Sequence, residues 1–215
     1  MQRRDLIKQG ALLAAALMLG PTFTARAADD GAGPEQLIRQ LSSEVLDALQ
    51  SDKAYQSGDI NKVMTLVDQK VMPHVDFERT TGLAVGRAWR QATPEQKKAL
   101  TENFKQLLVR TYAGALNQVR DVRFNFLPYR AAPEDTEVTV RTQVIQAKGG
   151  DPIQLDYRLQ KQGAVWKIYD LNVVGVWLVE NYRNTFAQEV NKSGIDGLIK
   201  SLQTKNAELS GGKAS

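Results

Sequence analysis

Few side chains in this sequence have the types and spacing that chemistry requires. His74, the single histidine, is followed by Asp76 and Glu78, a set that could bind a metal or transfer a proton. These residues come after Pro73 at the start of a predicted helix, where an aspartate normally caps the helix or lies in its first turn. We therefore interpret the cluster as structural. With one histidine and no cysteine, the sequence excludes a histidine-pair metal site, thiol catalysis and disulfide bonds.

Asp170 is a second candidate because it lies in a predicted strand, on the same face as Trp166 and Ile168. A carboxylate on an apolar face could have a raised pKa and act as a general base on an apolar substrate. No partner acid, histidine or cofactor motif can be placed beside it. We favour the alternative that Asp170 accepts hydrogen bonds where a sheet meets helices.

Arg87 and Arg90 flank Trp89 and could bind an anion, although we favour surface ion pairs. Other aromatic side chains with a polar edge are predicted to lie mostly in the core; they are Tyr112, Tyr157, Tyr169, Tyr182, Trp166 and Trp177. The sequence has no glycine-rich phosphate loop and no carboxylates at metal-binding spacing. This inventory is typical of a binding protein rather than an enzyme.

The first residues predict an export signal. Residues 1–27 have a basic start, an apolar segment over 11–19 and small residues before a cleavage site between Ala27 and Ala28. The apolar segment is too short to span a bilayer. The two adjacent arginines near the start fit either a twin-arginine signal or an ordinary secretory leader. Removing the leader lowers the formal net charge from +4 to +1, which leaves no argument for nucleic-acid binding.

Apolar residues at helical spacing predict helices in the first half of the mature chain. Two stripes begin at Leu37 and Ile60. A further helix starts at residues 93–96, where the threonine, the proline and Gln96 form a capping box with proline in the first turn. This helix places Phe104, Leu108 and other apolar residues on one stripe, with Tyr112 at its margin.

The period then changes to two, which is typical of strands. Residues 122–126, 136–146 and 153–159 alternate apolar and polar side chains, with turn signals at 148–151 and 162–163. Together with 164–173 they predict an antiparallel sheet of about four strands with one apolar face. Helices before and after such a sheet indicate an α+β fold. Residues 28–34 are predicted to be a linker, 35–206 a single domain and 207–215 a polar tail.

An apolar run, 173–179, follows the last strand, and Gly175 lies where strand is expected to become helix. A run that is apolar on all sides must be enclosed by protein or face something apolar that is not protein. Because it continues from an apolar sheet face, we interpret it as part of a cavity wall.

Several segments match one family pattern in the same order along the chain. They are LAVGRAWR at 83–90, TPEQ at 93–96, FKQLLVRTYAGAL at 104–116, VTVRT at 138–142, DYRL at 156–159, the segment 166–186, and GIDGLIKSLQTKN at 194–206. As a set they resemble the MlaC / toluene-tolerance (Ttg2-type) family of periplasmic phospholipid-binding proteins.

The resemblance implies a soluble periplasmic carrier. Such a carrier passes phospholipid between an outer-membrane lipoprotein complex and an inner-membrane ABC transporter and maintains outer-membrane lipid asymmetry. It also implies an α+β fold in which a curved sheet and helices enclose a deep apolar pocket, with the acyl chains inside and the head group outside. The expected cargo is phospholipid, with no cofactor, no metal and no nucleic-acid partner, and a monomer is expected.

The pocket positions that the resemblance implies are Phe104, Leu108, Tyr112, Val140, Val144, Leu155, Tyr157, Trp166, Ile168, Val174, Val176 and Trp177. Trp177 departs from the pattern, because many members have a small residue such as serine there. A bulky indole could narrow the pocket or change its mouth. The alternatives are a cavity enzyme that uses Asp170 on an apolar substrate and a protein-interaction module that uses the apolar run.

Overall fold

The structure, a computed structural model, describes residues 33–51, 55, 59–116, 121–132, 134–147 and 149–211. The predicted export signal at 1–27, most of the predicted linker and the last four residues lie outside these ranges. Across the ranges given, none of the helices is both long enough and apolar enough to cross a bilayer.

The helices of the described ranges are α1 (Pro34–Ser51), α2 (Ile60–Leu66), α3 (Phe77–Val85), α4 (Pro94–Leu116) and α5 (Leu178–Gly211). The chain continues from α2 into a π-helical segment, Val67–Val71, and a 3-10 turn, Met72–His74. After α3 it forms a second 3-10 segment, Gly86–Gln91.

Local capping sets the helix starts. Asp59 accepts from the first backbone N–H groups of α2, and Asp76 accepts from Arg79 N at 2.9 Å at the start of α3. Thr93 Oγ1 accepts from Gln96 N at 3.2 Å, while Gln96 Oε1 accepts from Thr93 N at 3.0 Å. The predicted capping box is therefore confirmed.

The strands are β1 (Val122–Phe126), β2 (Glu137–Gln146), β3 (Ile153–Gln162), β4 (Val165–Val173) and β5 (Val176–Trp177). They form one antiparallel sheet in the order β1-β2-β3-β4-β5. The α+β prediction is confirmed. The fifth strand, which the sequence pattern does not separate from the apolar run, is two residues long.

A β-bulge in β4 changes which side chains share a face. Arg158 pairs with Asp170 and Leu159 pairs with Ile168, so Tyr169 is an extra residue on β4. Asp170 is thereby turned to the side of the sheet that bears Arg158. The prediction that Asp170 shares a face with Ile168 and Trp166 is wrong, because the alternation on which it relied is interrupted.

The apolar run is divided by a turn at Val174 and Gly175, which have φ of 52° and 85°. A left-handed backbone is uncommon for a β-branched residue and costs about 1–2 kcal/mol. Val174 and Val176 are 67% and 52% exposed. Gly175 lies at the predicted corner, but the corner is a surface turn and not a piece of wall.

Beyond this turn, α5 is longer than predicted. It is interrupted at Gly194, where φ is 71° and ψ is −173°, and then continues to Gly211. Residues 207–211 are thus helical, although the sequence predicted a polar tail there.

Two hydrophobic clusters hold the helices and the sheet together. The first lies between α3, α4 and α5 and includes Leu100, Phe104, Phe186 and Leu198. The second packs α1 against part of the apolar sheet face; its buried members are Leu37, Ile38, Leu41, Val140, Leu159 and Ile168. A backbone bond from Asp76 N to Ile168 O at 2.8 Å connects the start of α3 to β4.

Candidate functional site

An apolar cavity of about 470 Å³ lies between the sheet and the helices. The sheet contributes the first residues of β1 and β3 and the last residues of β2 and β4, so the cavity lies over one end of the sheet. The opposite wall comes from α1, from residues 67–75 and from α4.

The cavity exists because the helices cover the apolar sheet face only in part. Ile38 and Leu41 of α1 belong both to the packed cluster and to the cavity wall. Further along α1, Val45 and Leu49 border the cavity, opposite sheet residues such as Val144 and Leu155. The same sheet face is therefore core at one end and cavity wall at the other.

The charged residues that border the cavity are Lys105 and Asp170, and both are paired. Lys105 Nζ lies 3.0 Å from Asp68 Oδ1 and 3.0 Å from Glu102 Oε2. Burial lowers the pKa of Lys105, but the hydrogen bonds and charges of these two acids outweigh it and leave the pKa raised. Lys105 therefore stays protonated, and the two acids balance its positive charge.

Tyr157 is one of two tyrosines on the sheet side of the wall. Burial raises the pKa of its hydroxyl, and hydrogen bonds with Ser42 and Thr142 lower it only in part. The phenol is therefore neutral and satisfied. A wall of this kind suits uncharged apolar groups.

Asp170 has three donors around its carboxylate. Oδ1 accepts from Leu171 N at 2.9 Å and from Val179 N at 3.1 Å, and Oδ2 accepts from Arg158 Nη1 at 3.2 Å. Burial raises the pKa of Asp170, and the two backbone N–H groups and Arg158 lower it by less. Because Val179 is in the first turn of α5, Asp170 acts as a cap supplied from the sheet. The hydrogen-bonding interpretation is confirmed.

We expect Asp170→Ala to lower the free energy of unfolding by about 2–4 kcal/mol, since the buried N–H of Val179 and the partly buried N–H of Leu171 lose their acceptor at a cost of about 1–3 kcal/mol each. Asp170→Asn keeps Oδ1 and is expected to lose about 1 kcal/mol. Urea unfolding of both variants near neutral pH tests this; equal losses would contradict the capping role.

The pH dependence of the free energy of unfolding provides an independent check on the environment of Asp170. Because the folded pKa of Asp170 is raised above its ordinary value of 3.8, the folded chain binds a proton here before the unfolded chain does. This group therefore adds stability to the wild type as the pH falls through the raised pKa. The Asn variant should lack that contribution.

In the cluster His74, Asp76 and Glu78, the carboxylate of Asp76 has a structural role. Asp76 Oδ2 accepts from Gln160 Nε2 at 3.1 Å and from Gln162 Nε2 at 2.5 Å, while Oδ1 caps α3. Among the residues described, no three His, Cys, Asp or Glu side chains come together in a way that could hold a metal ion.

The twelve predicted pocket positions separate into three groups. Six border the cavity, and their role in lipid binding stays a prediction; they are Leu108, Tyr112, Val144, Leu155, Tyr157 and Ile168. Three belong to the packed clusters instead: Phe104 and Val140 are fully buried in them, and Trp166 packs against the α1 cluster.

The other three lie at the turn before α5, so placing them in the pocket was wrong. Val174 and Val176 are exposed because the turn carries them away from Val173, which borders the cavity. The guanidinium of Arg158 lies over the ring of Trp177, with its Cζ atom 3.8 Å from the ring centroid. The indole therefore does not narrow the cavity.

The sequence did not predict the part of the helical wall that comes from α1 and from residues 67–75, which includes Val45, Leu49, Val67 and Val71. Their apolar stripes were visible at helical spacing, but such spacing does not distinguish a residue that packs in a core from one that faces a cavity.

This fold and site define a class: α+β proteins in which a helical layer leaves an apolar, charge-compensated cavity against an antiparallel sheet. Residues 39–204 match the family model described as MlaC protein. The chain belongs to the MlaC family, which confirms the resemblance.

Two curated relatives and one solved structure are similar to the chain. The intermembrane phospholipid transport system binding protein MlaC of Haemophilus influenzae is 26% identical over 172 residues, which cover 79% of this chain and 80% of that protein. The toluene tolerance protein ttg2D of Pseudomonas putida is 24% identical over 164 residues, which cover 76% and 75%. A phospholipid-binding protein from Ralstonia solanacearum, solved in complex with a phospholipid, has a TM-score of 0.80 and 44% identity, covering 83% of this chain and 99% of that one.

Proposed function

We propose that this protein is a periplasmic phospholipid carrier whose cavity holds the acyl chains of its cargo. The observation on which the proposal rests is the apolar cavity, in which both charged residues are compensated by neighbours. The phospholipid in the similar Ralstonia structure supports the choice of ligand.

The physical requirement on such a carrier is enclosure. Removing an acyl chain from water gains about 0.8 kcal/mol per methylene, so two chains of roughly 15 methylenes gain about 20 kcal/mol or more. A bilayer offers nearly the same gain. The free energy of transfer between membrane and cavity is therefore a small difference, and a protein that only encloses the chains can load and unload without catalytic groups.

We further propose that the carrier exchanges lipid with an outer-membrane lipoprotein complex on one side and an inner-membrane ABC transporter on the other. The name of the Haemophilus relative, which refers to intermembrane transport, supports this assignment. The predicted export signal supports a location between the two membranes. By this exchange the protein would maintain the lipid asymmetry of the outer membrane.

Solvent extraction and mass spectrometry of the purified protein test the proposal. After expression with its leader in a Gram-negative host, we expect about one phospholipid per chain, because one apolar cavity lies between the sheet and the helices. Stripped protein should take up labelled phospholipid from vesicles and return it to acceptor vesicles. Protein that contains no phospholipid and takes none up would refute the carrier function.

A further inference from the structure

A second depression, of about 580 Å³, lies between α3, the 3-10 segment Gly86–Gln91 and the first half of α5. It shares no lining residue with the apolar cavity between the sheet and the helices, which we call the lipid cavity. Its apolar lining includes Leu83, Val85, Ala187 and Val190. We call it the arginine groove, because Arg87, Arg90 and Arg183 border it and none of the acidic residues that the structure describes does.

The local backbone presents the arginines together. A 3-10 helix has about three residues per turn, so Arg87 and Arg90 lie on one side of their segment. The segment is held close to α3, since a Cβ at Gly82 would lie 2.9 Å from Trp89 Nε1. On α5, Arg183 Nε donates to Leu83 O at 3.2 Å, which fixes this side chain against the groove. The groove is therefore pre-formed.

The groove arginines have no acidic partner among the residues that the structure describes, and in this they resemble Arg123, Arg130 and Arg141. Arg39, Arg79 and Arg158 each pair with a carboxylate. In the part of the chain that the structure describes, Arg87 and Arg90 form neither an ion pair nor a side-chain hydrogen bond. The preference for surface ion pairs at these two positions is therefore wrong, and the groove has uncompensated positive charge.

We propose that the arginine groove is the docking site for a segment of a partner protein that combines acidic and apolar side chains. Guanidinium groups bind carboxylates in a planar, two-point geometry, and they are favoured at protein interfaces. The concave apolar lining suits a side chain inserted from a peptide. A flat anionic membrane could meet the arginines but could not fill the groove. Because the groove and the cavity are separate, a partner could bind while cargo is in place.

The probe is a fluorescein-labelled peptide of glutamate and leucine at helical spacing, titrated with the mature protein at low salt and followed by fluorescence anisotropy. We expect Arg87→Glu with Arg90→Glu to weaken binding about tenfold or more, since like charges replace two pairs. Ala187→Gln, which fills the groove without changing charge, should weaken it several-fold. Raising the salt should weaken wild-type binding.

The matched control is Arg123→Glu with Arg130→Glu, which makes the same charge change at exposed residues outside the groove. This variant should bind the peptide within about twofold of wild type, a difference smaller than one good charge pair produces. Amide NMR shifts caused by the peptide are expected at 82–91 and 183–191.

Three results would overturn the docking site: undiminished peptide binding by the double Arg87 and Arg90 variant, an equal loss in the control, or amide shifts confined to the cavity wall. A fourth would be arginine-dependent binding to vesicles of phosphatidylethanolamine and phosphatidylglycerol without peptide binding, which would indicate a membrane surface. Phospholipid content is measured on the same samples. Chains that bind the peptide but contain no lipid would contradict the carrier function and leave the groove assignment intact.

Discussion

Leu155→Glu is expected to prevent lipid loading while the chain remains folded. Leu155 borders the cavity at the start of β3 and is only partly buried, so a longer polar side chain can point into the open space without displacing a packed neighbour. In the empty protein, water can solvate the new carboxylate. Acyl chains would remove that water, and burying an unpaired charge costs several kcal/mol. We expect lipid occupancy to fall by about 100-fold, which corresponds to roughly 3 kcal/mol.

Mass spectrometry of extracted lipid per chain, with circular dichroism of the same sample, measures this effect. Asn125→Glu is the matched control, because it adds the same charge to an exposed residue of the sheet and should leave lipid content unchanged. Leu155→Met should also load normally. A folded Leu155→Glu protein that purifies with wild-type lipid content would show that acyl chains do not lie against this part of the wall.

Much of the fold follows from local rules that act within a few residues. Helical and strand periods predicted the order of elements, and the Thr93 and Gln96 side chains predicted the start of α4, where their reciprocal bonds form. The same reasoning failed at the β4 bulge. One extra residue, Tyr169, turned Asp170 to the other face, and nothing in the alternation marks such an insertion.

The candidate site was predictable only in part, because a cavity wall and a packed core have the same composition. Val140 and Leu155 lie on the apolar face of neighbouring strands, and from the sequence they look alike. Val140 is 1% exposed under α1, whereas Leu155 borders the cavity. The position of α1 across the sheet decides between the two roles. A glutamate at Val140 would therefore unfold the domain and would not report on lipid binding.

Contacts between distant elements were likewise outside the reach of sequence patterns. Trp177 stacks on Arg158 because the short β5 folds back beside β4, and none of the acids that the structure describes is brought to the groove arginines. Both facts depend on where turns place whole segments. Spacing along one segment does not contain that information.

Phe104→Ala is expected to lower the free energy of unfolding by about 3–5 kcal/mol, the usual cost of removing a buried phenylalanine. Phe104 is fully buried, and its ring centroid lies 4.9 Å from that of Tyr182, 5.0 Å from Phe186 and 5.7 Å from Phe77. The contacts with Tyr182 and Phe186 are edge-to-face, a geometry that adds to the burial energy. Since the ring joins α3, α4 and α5, its loss leaves a cavity among three helices that cannot collapse independently.

Tyr112→Ala is the matched comparison, because Tyr112 lies on the same helix but borders the lipid cavity and is 37% exposed. It should lose about 1 kcal/mol or less of stability while weakening lipid retention, since little packed surface is removed. Urea unfolding must be measured on lipid-free protein, because bound ligand raises apparent stability. If Phe104→Ala instead unfolded at the wild-type urea concentration and released lipid, the ring would belong to the lipid cavity. The two aromatic residues of α4 would then have to exchange roles.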